Sequence, residues 1–161
     1  MNLYQSLGFL VFGSRLRRMS ETFLAEINRI YQNQGIDFDA SWFPVFYLLS
    51  KNDSLSIKEL SDQTEVSHPA ASQLITNLKS RDLVETTVSA DDGRKQLVHF
   101  TEKGRKLLIQ ILPVWDAITA SMAGFAGSDT DIQKMLPAIT AFEDNFRAFD
   151  LSGKVTERLK S

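Results

Sequence analysis

Gln73, Thr76 and Asn77 share a stretch, Ser67 to Val84, that opens on a helix-starting hydroxyl and carries no formal charge before Lys79. At helical spacing the three fall on one face, and their chemistry is base-edge recognition. A carboxamide pairs bidentately with adenine N6 and N7, and a threonine hydroxyl reaches a base edge or a phosphate. His68, Pro69 and Ala70 join that outer face, while Ala71, Leu74 or Ile75, and Leu78 make the inner one. Small early residues allow close approach, and a helix N-terminus beginning at Ser67 favours phosphate. Pro69 is harmless there because early helix N–H groups have no intrahelical partner. Lys79 and Arg81 close the stretch with positive charge. Any solvated amphipathic helix also has a polar outer face, so a second pattern has to separate the two readings.

That pattern lies immediately downstream. Two β-leaning runs, Glu85 to Ser89 and Gln96 to Thr101, flank the turn-forming "ADDGRK", which reads as a hairpin. Arg94 and Lys95 lie at its tip, where a guanidinium can enter a minor groove. Asp92, two residues away, is placed to orient Arg94.

The elements that must hold these groups are short. Ile57 to Thr64 reads as a two-turn supporting helix with Ile57, Leu60 and Val66 facing the core. Glu65 to Ser67 is a turn, His68 to Ser80 the recognition helix and 85–101 the wing. The order is that of a winged helix-turn-helix lobe over 55–101, mainly α with a two-stranded β-wing. On its N-terminal side, apolar residues three or four apart predict one long helix from Asn2 to Asn33, weakened at Gly8 and Gly13 and stopped at Gly35. Asp39 is the expected cap of the next helix, where "WFPVFYLLS" is apolar nearly all round and predicts deep burial. From Glu102 the helical period returns, with a kink or split expected at Pro113. Ser128 is the expected cap of a last long helix to about Phe149, bent at Pro137.

Composition bounds the rest. The chain has 161 residues, 43% hydrophobic and 24% charged, with a formal net charge of -2, so a polyanion partner must be met by a local patch. From Val66 to His99, Lys79, Arg81, Arg94 and Lys95 balance Asp82, Glu85, Asp91 and Asp92. The absence of cysteine excludes disulfides, zinc-thiolate sites and a thiol switch, and is compatible with a cytoplasmic location. The start of the chain reads poorly as a signal peptide, and no stretch reads as the roughly 20 apolar residues of a membrane span. No nucleophile–base pair or metal-ligand spacing can be assembled, so neither an enzyme nor a cofactor is expected. His99 alternates with Val98 and Phe100 and reads as structural.

Leu55 to Leu108 resembles the MarR family of bacterial transcriptional regulators, with Asp92-Gly93-Arg94 as the wing's Asp-x-Arg and Phe100 to Gly104 as the segment after it. The resemblance implies a single domain over 1–161 whose helices, in 1–35 and 102–150, interlace with a second copy. It also implies an effector site between the DNA lobe and the dimer helices, for which Arg15, Arg18, Trp42 and Phe46 are the candidates. Two residues depart from the family pattern: Glu65 stands where many relatives have glycine, and Thr86 where many have arginine. The N-terminal wording is similar to the MarR-like half of MarR–acetyltransferase fusions, but no Gly-rich acetyl-coenzyme A loop occurs. The expected function is a cytoplasmic homodimeric regulator that binds a near-palindrome in double-stranded DNA. Its DNA contacts would come from Ser67, His68, Pro69, Ala70, Gln73, Thr76, Asn77, Lys79, Arg81, Asp92, Arg94 and Lys95, and a small-molecule effector would modulate it. No membrane is involved in this reading. The alternative is a winged-helix protein-interaction module that has lost DNA binding.

Overall fold

Asn2 starts the first helix with a reciprocal cap: its side chain accepts from the Gln5 N–H, and the Gln5 side chain accepts from the Asn2 N–H. The computed structural model describes residues 2–89 and 95–160. Helix α1, Leu3–Ser6, is followed by a 3-10 turn, Gly8–Val11, and by α2, Phe12–Asn33. The single helix expected from Asn2 is therefore divided. The break falls at Gly8, whose φ of +54° is open to glycine at little cost. Gly35 ends α2 as expected, at φ +66°, and the Ile36 N–H closes back on the Tyr31 carbonyl at 2.9 Å.

Asp39 is the cap it was expected to be, accepting from the Ser41 N–H at 2.8 Å. The 3-10 turn Ala40–Trp42 leads into α3, Phe43–Lys51. This segment is less buried than its composition suggested: Val45, Phe46 and Leu49 face inward, whereas Phe43 and Tyr47 are 41% and 45% exposed and stack on each other with centroids 5.5 Å apart. The core is organised around Phe38, which meets Tyr31, Trp42 and Phe46 edge-on at 4.9, 5.5 and 5.0 Å. Phe46 in turn packs on Phe100 at 4.8 Å.

The lobe comprises β1, Leu55–Ser56, α4, Ile57–Thr64, α5, His68–Ser80, β2, Val84–Val88, and β3, Gln96–Phe100. The strands form one antiparallel sheet in the order β1-β3-β2. The wing thus gains a strand beyond the expected two, with Leu55 opposite Val98 and Thr86 opposite Val98 on the other side. Leu60, Ile75, Leu78 and Val98 are each at most 2% exposed and hold the lobe together. Val66, expected in that core, is instead 41% exposed because the turn carries it outward.

The C-terminal end of α5 is tied to the segment that begins the next long helix. Thr101 Oγ1 donates to the Asp82 carbonyl and Lys103 Nζ to the Arg81 carbonyl, each at 2.7 Å. Gly104 packs so closely against the Leu83 carbonyl that no Cβ fits. From this anchor α6 runs Glu102–Gly127 and is not split at Pro113. Pro113 loses its own N–H bond and its ring crowds the carbonyl four residues back; that carbonyl belongs to Ile109, whose residue is 69% exposed and open to water.

The chain divides into two compact units, Met1–Val114 and Trp115–Ser161. In the second, Asp129 rather than Ser128 is the cap, accepting from the Asp131 and Ile132 N–H groups at 2.7 and 3.2 Å. Ser128 Oγ instead donates to the Phe125 carbonyl at the end of α6. The expected single helix is α7, Thr130–Gln133, then α8, Met135–Phe146, and a further helix, α9, Leu151–Lys160. Pro137, where a bend was expected, sits in the first turn of α8, where no N–H is required. None of the residues of α7, α8 or α9 is buried. By length and composition alone, α6 is apolar enough to cross a membrane, contrary to the expectation of no such stretch.

Candidate nucleic-acid interface

The site begins with Ser56. Its hydroxyl accepts from the Glu59 N–H at 3.2 Å, and the Glu59 carboxylate accepts from the Ser56 N–H at 2.8 Å, a reciprocal cap that starts α4. α4 ends at Glu65, held in the left-handed region at φ 54°, ψ 26°. The turn has the backbone geometry that a glycine would adopt most readily. Ser61 Oγ donates to the Val66 carbonyl at 2.7 Å and binds the turn to α4. Ser67 then caps α5, accepting from the Ala70 N–H.

α5 faces as its sequence pattern requires. Ala71, Ile75 and Leu78 are buried and Leu74 is half-buried. Ser67, His68, Pro69, Ala70, Gln73, Thr76, Asn77 and Lys79 are all exposed. Thr76 Oγ1 donates to the Ser72 carbonyl at 2.9 Å, which leaves its oxygen as an acceptor toward solvent.

The cations are more engaged than spacing suggested. Lys79 Nζ donates to Thr86 Oγ1 at 3.0 Å, so the residue in the family's arginine position braces the helix against β2. The Arg81 guanidinium lies over the Trp42 ring, 4.8 Å from its centroid, and 3.6 Å from the Asp37 carboxylate. Lys95 Nζ is 3.0 Å from Glu59 Oε1. Hydrogen bonds from the Ser56 hydroxyl and N–H, and then the one from Lys95, lower the Glu59 pKa from the usual 4.5 to about 2. Asp92 and Arg94 lie outside the described residues.

The effector candidates separate. Trp42 and Phe46 are 5% and 0% exposed and belong to the aromatic core, so neither presents an open face to a ligand. Arg15 and Arg18 are exposed on α2, with Arg18 5.1 Å from the Tyr4 ring centroid. A cleft of about 300 Å³ opens elsewhere in the first unit, lined among others by Gly35, Asp37, Arg81, Leu83, Lys103 and Lys106. Sequence reasoning singles out neither Glu59 nor Asp37 as functional. The first is visible in Ser56-x-x-Glu59, a capping-box spacing, whereas nothing local marks the second. His99 is a half-buried strand residue, its Nδ1 3.6 Å from Glu85. Among the described residues no group of three His, Cys, Asp or Glu could hold a metal ion.

Against known proteins, the MarR family model matches residues 36–95. No curated protein matches. Among solved structures, the complex of Staphylococcus aureus MepR with DNA superposes with a TM-score of 0.71 at 18% identity, covering 84% of this chain and 97% of that one. Bordetella bronchiseptica BpsR, whose DNA binding is regulated by 6-hydroxynicotinic acid, gives 0.64 at 25% identity over 86% and 94%. Apo MarR from E. coli gives 0.53 at 16% identity over 84% and 94%. The likenesses to MepR and MarR are likenesses of fold.

Proposed function

We propose that this chain, whose residues 36–95 match the MarR family model, is a cytoplasmic transcriptional regulator that acts as a homodimer on a near-palindromic operator. The observation that carries the reading is the two-sidedness of α5. Its apolar residues are sealed into the lobe while Ser67, His68, Pro69, Ala70, Gln73, Thr76 and Asn77 face solvent together. Such a face suits a major groove: the small N-terminal residues admit the backbone, and two carboxamides and a hydroxyl oxygen read base edges. Lys79 and Arg94 supply phosphate and minor-groove contacts.

Dimerisation is supported by apolar residues left uncovered in each unit, including Phe9 and Leu10 at 80% and 84% exposure and Leu136 and Leu159 at 70% and 82%. A single copy leaves these in water, and a two-fold related copy would cover them. The apolar length of α6 is accounted for in the same way. The small-molecule effector fits the cleft lined by Arg81, Lys103 and Lys106 better than the buried Trp42 and Phe46. The second reading, a protein-interaction module without DNA binding, draws support from Lys79, Arg81 and Lys95 each meeting a protein group.

Sedimentation at micromolar concentration together with a salt-dependent gel shift tests both readings. A two-chain species that shifts duplex DNA at low salt is the expected result. A single-chain species that shifts none contradicts the proposal and favours the interaction module.

A further inference from the structure

We infer that Lys95 is a positioning residue, a strut that sets the wing against the supporting helix through Glu59, and not one of the phosphate contacts. The carboxylate it meets is already oriented. Glu59 Oε2 accepts from the Ser56 N–H at 2.8 Å and from Ser56 Oγ at 2.6 Å, which leaves Oε1 facing Lys95 Nζ at 3.0 Å. The two residues are 36 apart in sequence, and their side chains are only 40% and 43% exposed.

The bridge closes a small circuit. Ser56, which orients Glu59, also pairs with Leu97 in the sheet, two residues beyond Lys95. Lys95 itself completes the stem of the hairpin, its carbonyl accepting from the Ser89 N–H at 2.8 Å. Lys95 Nζ keeps two further donors, but with the Glu59 carboxylate 3.0 Å away its charge is already balanced locally, which weakens its pull on a phosphate.

The effect on DNA rests on the regulator reading, so the test pairs a DNA readout with one that needs no DNA. The probe is the duplex selected by the wild-type dimer, followed by fluorescence anisotropy across a salt series. The variants are Lys95→Met, Glu59→Gln, which keeps the capping interaction, and the double variant. Each single variant should weaken binding about two- to fivefold, the range open to a half-exposed ion pair. The double should be no weaker than either single, and the slope of affinity against salt should match the wild type. Lys95→Arg should restore affinity. Tighter binding by Glu59→Gln, or a slope reduced by about one in Lys95→Met, would make Lys95 a phosphate contact and overturn the inference. Independently, amide exchange at the Ser89 N–H without DNA should accelerate in both single variants, and unchanged exchange overturns the strut. If the wild type binds no duplex, the regulator reading fails while the exchange measurement still decides the strut.

Discussion

Glu65→Gly should stabilise the protein. Glu65 holds φ 54°, ψ 26° in the turn between the two helices of the lobe, a conformation that costs an L-residue roughly 1–2 kcal/mol. Glycine removes that cost but has a freer unfolded chain, which returns about 0.5–1 kcal/mol. Glu65→Ala deletes the same side-chain atoms beyond Cβ, so comparison with it isolates the backbone contribution. The expected net gain is about 0.5–1 kcal/mol. Urea unfolding followed by circular dichroism should therefore show a higher midpoint with an unchanged slope. Glu65→Ala, which must keep the same backbone angles with a Cβ, should show no gain. A Glu65→Gly variant no more stable than the wild type, or an alanine variant equally stabilised, would refute the idea that backbone strain is stored in this turn.

Gly104→Ala should lower stability by about 1–3 kcal/mol, since its methyl group meets the backbone carbonyl of Leu83 and neither side can yield easily; thermal unfolding reads this. The contribution of Glu59 has a definite sign with pH. Its folded pKa of about 2 lies below the usual 4.5, so the stabilisation is fully present above 4.5 and is lost as pH falls toward 2. The stability gap between wild type and Glu59→Gln should accordingly be constant from pH 6 upward and close in acid, as denaturant titrations at several pH values would show. Gln73→Ala should relax preference at particular base pairs by roughly 1–3 kcal/mol rather than weaken all duplexes alike, measured on single-substituted sites.

Legibility of the fold tracks how local its causes are. α4 and α5 are readable to the residue because Ser56, Ser67 and the turn at Glu65 act within four positions of the helices they begin or end. β1 escapes notice because two residues are too few to show alternation, and its existence depends on Val98 and Leu97 far along the chain. The second unit departs from expectation where equivalent signals compete. Ser128 and Asp129 are both good caps, and Pro137 marks a helix start as readily as a bend. At the site, the outward-facing residues of α5 follow from periodicity, but the engagements of Lys79, Arg81 and Lys95 do not. Arg81 meets Asp37 and Trp42, and Lys95 meets Glu59, only through tertiary contacts. Trp42 and Phe46 are open to either reading for a related reason, since an aromatic cluster has the same sequence pattern in a core as around a ligand.

The central claim is that α5 and the wing of two copies read DNA, and selection of bound duplexes from a random pool by the purified protein tests it most directly. The account predicts enrichment of a near-palindrome with half-sites centred about 10 base pairs apart, bound more weakly as salt rises. A pool that returns no enriched sequence, or one without a dyad and bound indifferently to salt, would contradict it.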